Sequence, residues 1–376
     1  MKVGSGMKKV LLIFISLLLV TGCSSNSEVK PVSTNTSDNN VVEPIEEPVY
    51  TNKPVETSKP IDEVKPTTTP SNVVEEKETK MNKNNYVSYN GTLKVEGVNL
   101  VNKYGEKIQL KGVSSHGLQW FNYLVTDDNI KTLKSWGSNV FRLAMYTKEG
   151  GYIDNKNIYN DLIKDIDLVI SNDMYVVVDW HILSDNNPNN YKEEAKDFFR
   201  KVSSKYKNTP NIIYEICNEP NGGTSWNDIK SYADEVVPII RENSNNLIIV
   251  GTPTWSQDVD SVIGNKVNDN NTMYTLHFYS GTHTDYLREK AKRTLDNGIP
   301  IFITEFGVSA ADGNGGVYLD EANRWFDFIN KYNLSYINWS LADKNESSAF
   351  LKENNKVIND NSLSESGRYI KSILSK

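Results

Sequence analysis

The sequence predicts an α/β protein built as a single (β/α)8 barrel over residues 89–376, and three observations predict it. Eight short runs rich in β-branched residues recur along this stretch, each nearly continuous in apolar residues, as expected of strands buried on both faces. Longer amphipathic stretches separate them. Polar residues collect at the C-terminal end of most runs, the end at which barrels of this kind carry their sites. A doubly wound open sheet is the alternative, disfavoured because no Gly-x-Gly-x-x-Gly follows the first strand.

Taken in order, the expected strands cover 109–114, 139–144, 175–180, 212–216, 247–251, 273–277, 300–304 and 336–340. The first ends near His116. The second passes Arg142 and ends at Tyr146. The third ends in Asp179-Trp180-His181 and the fourth in Cys217-Asn218-Glu219-Pro220. The sixth ends in His277-Phe278-Tyr279, the seventh in Thr304-Glu305-Phe306-Gly307, and the eighth near Trp339. Three of the four histidines lie at such tips. Between strands, 127–136 opens on acidic residues and stops before Gly137. The stretch 159–171 places Leu162, Ile163, Ile166 and Ile170 at helical spacing, and 193–206 does the same with Phe198, Phe199 and Val202.

The segment before the barrel differs in composition. Lys8 and Lys9 precede an apolar run over 10–20, too short for a comfortable span of about 20 residues and matched to a secretory signal peptide. The run ends in Thr21-Gly22-Cys23, which resembles a bacterial lipobox. Residues 1–22 are therefore expected to be a lipoprotein-type signal peptide and Cys23 the lipidated residue. Residues 23–88 hold seven of the 13 prolines and no glycine, and from residue 24 they carry nine Glu and two Asp against seven Lys. Such a chain buries too little apolar surface to offset ordering entropy, so a disordered linker reaching on the order of 200 Å is expected. The protein is expected to be exported, held at the bacterial surface through Cys23 or secreted.

Composition excludes several classes. A net charge of −7 gives no support to nucleic-acid binding, which needs clustered cations. Two cysteines build no disulfide framework. No nucleophile elbow or phosphate loop is present. The histidines come singly from separate strands, so no metal is expected, although His116, His181, His277 and a glutamate could in principle share one. What remains is a pair of carboxylates, Glu219 and Glu305, on strands across the barrel from each other. Glycoside hydrolysis needs such a pair.

Ile216-Cys217-Asn218-Glu219-Pro220 resembles the Asn-Glu-Pro signature of clan A glycoside hydrolases. With Arg142, His181, His277-x-Tyr279, Glu305-Phe306-Gly307 and Trp339, the chain is similar to glycoside hydrolase family 5. His116 to Trp120, Ala144-Met145-Tyr146 and Trp339 to Ser348 narrow the resemblance to the bacterial endo-β-1,4-glucanases of subfamily 2. It covers roughly residues 98–349. Cys217 departs from the small residue common there and is expected to face away from substrate.

The resemblance implies a retaining endo-β-1,4-glucanase acting on cellulose or related β-glucans, without cofactor, as a monomer. Glu219 is then the acid/base and Glu305 the nucleophile, with carboxyls about 5–5.5 Å apart. Arg142 and Tyr279 are expected to hold Glu305 charged, Asn218 to bind the sugar 2-hydroxyl, and His277 to neighbour Glu219. His116 and His181 are expected to contact sugar hydroxyls, as is Lys344. Trp120, Tyr146, Trp255 and Trp339 are the expected sugar platforms, since glucan rings offer apolar faces. Trp136 and Trp325 are expected in the core, Trp180 on the outer face of the barrel, and Trp226 is open between site and core. Glu215 is expected to be structural and His283 to have no role. A related glycanase acting on mannan, xylan or mixed-linkage glucan is the alternative, and a surface protein that binds glucan without cutting it is the more distant one.

Overall fold

The computed structural model describes residues 86–376, so the expected signal peptide, Cys23 and nearly all of the expected linker lie outside the described residues. The boundary expected between residues 88 and 89 falls inside a short helix, Tyr86–Asn90.

Eight strands close into an all-parallel barrel: β1 Lys111–Ser115, β2 Val140–Tyr146, β3 Tyr175–His181, β4 Ile212–Glu215, β5 Ile248–Val250, β6 Thr272–Tyr279, β7 Ile301–Gly307 and β8 Tyr336–Leu341. Closure joins β8 to β1, with Tyr336 beside Lys111. The open-sheet alternative is thereby corrected. Strands β2, β3, β6 and β7 run further toward their C-terminal ends than the apolar runs suggest, so Tyr146, His181, Tyr279 and Glu305 are strand residues. Polar groups directed into a closed barrel find partners there, and the ladder continues through them.

The helices are α1 Asp127–Ser135, α2 Ile158–Ser171, α3 Lys192–Lys205, α4 Trp226–Arg241, α5 Asp285–Asp296, α6 Leu319–Tyr332 and α7 Glu365–Leu374. Local chemistry sets their ends. Thr126 caps α1 by accepting from the Asn129 amide, and Ser225 with Asp228 forms a reciprocal capping box at α4. Gly137 follows α1 at φ 104°, where a Cβ would meet the Leu374 carbonyl at 2.3 Å. The crossover from β5 to β6 has no full helix. A four-residue turn, Pro253–Ser256, and a 3-10 turn, Val259–Val262, replace it.

Strand periodicity sorts the interior. Phe141, Leu143, Val176, Val178, Trp180 and Tyr214 pack outward against the helices. Val140, Tyr175, Val177, Ile213, Ile249, Phe302 and Ile337 face inward at the N-terminal end, together with Val87, Leu93 and Leu100. Val87 belongs to the first helix, Leu93 lies just before a hairpin of Lys94–Glu96 with Asn99–Val101, and Leu100 lies in it, so these segments cover that end of the barrel. The inward positions beyond this apolar layer are Arg142, Asp179, Glu215, His277 and Glu305, and the site is made from them.

Candidate active site

Arg142 is fully buried inside the barrel. Its Nε donates to Glu215 at 2.7 Å. Nη2 donates to Asn218 Oδ1 at 2.6 Å and pairs with Asp179 at 2.9 Å. Nη1 reaches Ser114 at 3.3 Å and Glu305 Oε2 at 3.5 Å. A flat guanidinium with five donors is suited to such a fan of acceptors. Among the described residues, Oδ1 of Asp179 and Oε1 of Glu215 have no hydrogen-bond partner. Burial pushes the Asp179 carboxyl up to about 7, with Arg142 opposing, and raises that of Glu215. Glu215 is structural, as expected, and one guanidinium does not neutralise its three carboxylate neighbours.

One carboxylate oxygen each of Glu219 and Glu305 and a ring nitrogen of His277 lie within 4.8 Å of one another. The two carboxyls differ in partners. Glu305 Oε1 accepts from the Tyr279 hydroxyl at 2.6 Å and Oε2 faces Arg142. Glu219 Oε1 meets His277 Nδ1 at 2.8 Å, and His277 Nε2 meets Thr304 Oγ1 at 3.0 Å. Thr304 in turn bonds the Thr275 hydroxyl. Burial pushes Glu219 up to about 8, and Asp179 and Glu215 add to this against Arg142. Burial also pushes Glu305 up, to about 7, and Glu219 adds to it, while His277, Arg142 and the Tyr279 hydroxyl oppose. Arg142 and the Tyr279 hydroxyl thus favour the charged form of Glu305, against the larger opposing effect of burial. Burial drives His277 down to about 4, so the ring is neutral. A protonated Glu219 then donates to Nδ1, and the Nε2 proton goes to Thr304.

Two carboxylates and an imidazole so close are a donor set that could hold a divalent cation. Here the same oxygens already face the Tyr279 hydroxyl, the Arg142 guanidinium and His277. Those groups suit a proton-transfer pair rather than a metal cage.

Several expected sugar contacts are placed differently. His181 donates its Nδ1 proton to Asp179 at 2.7 Å, and its Nε2 accepts from Asn218 at 3.2 Å. Its faces are covered by Tyr146 and Trp339, with centroids at 4.1 and 5.1 Å. No atom of it is left for a sugar hydroxyl, so it positions its neighbours. Asn218 likewise gives its amide protons to His181 and the Ile182 carbonyl and its Oδ1 to Arg142. It is 1% exposed, and its amide group is engaged on protein partners. His116 Nδ1 accepts from the Gly117 amide, and Nε2 meets Lys344 Nζ at 2.9 Å. Lys344 also pairs with Glu346 at 2.6 Å.

The aromatic platforms form two groups. Trp120, half exposed, lies edge-on to Tyr146 at 5.0 Å, and Trp339 lies behind His116 and His181. Trp255, also half exposed, belongs to a separate cavity of about 410 Å³ lined by Glu219, His277, Tyr279, His283 and Tyr286. Trp180 and Trp325 are fully buried in the helix-facing core, as expected. Trp136 is partly buried beneath Lys371. Trp226 resolves to core, its Nε1 donating to the Asn265 carbonyl at 2.8 Å. Cys217 is buried in the outer core, and burial raises its thiol pKa.

Sequence reasoning missed His283 and Tyr286. His283 Nδ1 accepts from the Tyr279 amide at 2.8 Å, fixing the end of β6. The available signal was its spacing of four from Tyr279 after a strand, one tight turn that returns a side chain to the backbone.

Comparison with known proteins agrees with this geometry. The chain is 53% identical over 291 residues to an endoglucanase of Clostridium saccharobutylicum, covering 76% of this chain and 65% of that one. It is 53% identical over 251 residues to endoglucanase A of Evansella cellulosilytica, covering 66% and 51%. The chain thus spans between half and two thirds of the length of these relatives. The solved structure of cellulase Cel5C_n superposes with a TM-score of 0.75 at 46% identity, covering 77% of this chain and 94% of that one. Residues 101–345 match the model of the cellulase family, glycosyl hydrolase family 5, and the chain belongs to that family.

Proposed function

We propose that this chain is a retaining endo-β-1,4-glucanase, with Glu305 as nucleophile and Glu219 as acid/base. One observation carries the reading: the two carboxyls approach within 4.8 Å but have unlike partners. Retaining pairs stand about 5–5.5 Å apart, whereas inverting pairs leave about 6.5–9.5 Å for a water. The stronger acid attacks and the weaker acid donates. Glu305 bonds to the anomeric carbon as the glycosidic bond breaks, and the Glu219 proton goes to the departing oxygen. The covalent ester forms. A water then gives its proton to Glu219 and its oxygen to the anomeric carbon, releasing Glu305. His277, neutral beside Glu219, accepts from the protonated acid through Nδ1 and so helps to orient it. Trp120, Tyr146 and Trp339 on one side and Trp255 on the other offer faces to a chain that continues past the scissile bond, which suits internal cleavage.

Glu305→Gln should lose hydrolysis of carboxymethylcellulose with an unchanged circular dichroism spectrum, and near-normal turnover would overturn the reading. A panel of polysaccharides scored by reducing ends against viscosity tests the substrate, and faster cutting of mannan or xylan than of cellulose rejects the glucanase assignment.

Surface attachment through Cys23 is proposed on sequence grounds alone, from the lysines, the apolar run and the small residues before the cysteine. Globomycin or Cys23→Ala should release the protein from membranes, and unchanged fractionation would remove the proposal.

A further inference from the structure

Three consecutive residues, Thr254, Trp255 and Ser256, hold left-handed φ values of 58°, 54° and 57°. Side chains with a Cβ seldom adopt this region, and a run of three persists only where its surroundings over-determine it. The surroundings here are the loop that carries Glu219. Ser256 Oγ donates to the Asn218 carbonyl at 2.6 Å. The Trp255 amide donates to the Pro220 carbonyl at 3.0 Å. Between them, the Glu219 carbonyl accepts from the Asn221 side chain at 2.8 Å. All three peptide carbonyls of Asn218-Glu219-Pro220 are therefore pinned, two of them by the left-handed turn. Gly251 adds to the same grip. A Cβ there would meet the Cys217 carbonyl at 2.3 Å and the Asn218 carbonyl at 3.0 Å, so only glycine lets the end of β5 lie this close.

The turn is itself anchored. Ser256 is fully buried, and its Oγ accepts from the Thr252 amide at 3.2 Å. Thr254 donates to Asp258 at 2.6 Å, and Asp258 is paired with Lys290. The side chain this turn displays is Trp255, on the cavity that Glu219 borders.

From this geometry we infer that Ser256 is a positioning residue for proton delivery: its hydroxyl fixes the backbone of Glu219 relative to the Trp255 face, so that the ring of the departing sugar and the acid that protonates it are held by one rigid turn. The inference rests on the reading of Glu219 as acid/base. It predicts a defect confined to steps that need a proton, because the hydroxyl touches neither the sugar nor Glu305.

The test compares kcat/KM for two aryl β-cellobiosides in the full chain. Phenoxide is a poor leaving group that needs the proton, and 2,4-dinitrophenolate leaves without it. Ser256→Ala and Ser256→Gly should each lose about 10-fold on the phenyl substrate and less than about 2-fold on the dinitrophenyl one. Glycine adopts the left-handed turn freely, so agreement between the two variants assigns the loss to the hydroxyl rather than to backbone strain. Equal losses on both substrates, no loss on either, or recovery in Ser256→Gly alone would overturn the inference, as would failure of both variants to fold. Glu219→Ala is measured in parallel. If it shows no leaving-group contrast and no acceleration by azide, the acid/base reading fails independently of Ser256.

Discussion

Tyr279 donates its hydroxyl to Glu305 across 2.6 Å, whereas Glu219 faces the neutral ring of His277 at 2.8 Å. A hydrogen bond to the charged form lowers a carboxyl pKa. The phenol therefore supports the ionised state of one glutamate while the other stays in the range where burial puts it. This difference separates two otherwise similar side chains.

Tyr279→Phe removes the bond that favours ionised Glu305. The acid limb of the kcat/KM profile should move to higher pH, and activity at pH 7 should fall about 10- to 100-fold, the scale of a hydrogen bond to a charge. An unmoved acid limb would show that Tyr279 does not tune Glu305.

The wild-type profile should be a narrow bell. Glu305 works deprotonated, so activity is lost as pH falls through about 7. Glu219 works protonated, so activity is lost as pH rises through about 8. The limbs belong to the pair, since the sites interact. Initial rates on a soluble aryl cellobioside across pH 4–10 check this, and a broad plateau reaching pH 5 would contradict it.

Arg142→Lys keeps the charge but not the fan of donors to Glu215, Asp179, Asn218 and Glu305. Breaking a buried ionic network in this way costs about 3–5 kcal/mol. Thermal unfolding should show a large drop in Tm, and the acid limb of any residual activity should move upward.

Asp165, on α2 and 6% exposed, has its carboxyl pushed up to about 7 by burial, with Asn122 donating to it. Its folded value lies above its unfolded one. Its contribution is therefore full below about pH 4 and is lost as pH rises through about 7. Asp165→Asn removes that loss. Tm should rise by about 5 °C at pH 8 and change little at pH 4, and equal shifts at both pH values would refute the linkage.

The strands were legible because burial on both faces leaves a continuous apolar run, and the outward place of Trp180 followed from its alternation with His181. Glu219 and Glu305 were legible as carboxylates at strand ends. The partners of His181 and Asn218 were not, because a tip residue looks the same in sequence whether it meets a sugar or a neighbouring strand. The crossover after β5 was misjudged as another helical unit. Its polar stretch after Val250 forms a left-handed turn, set by hydrogen bonds to a loop some 35 residues earlier in the chain.

Arg142 meets three carboxylates, Asp179, Glu215 and Glu305, and a fourth, Glu219, lies close by. Four ionised groups around one cation would leave a large unbalanced charge where water does not screen it. The cluster relieves this by retaining protons, and of the four only Glu219 borders the cavity that holds Trp255. Asp179 and Glu215, fully buried inside the barrel, both push the Glu219 carboxyl upward. Their charge favours the protonated form of Glu219, so its readiness to give up a proton is set by the whole barrel interior and not by one acid.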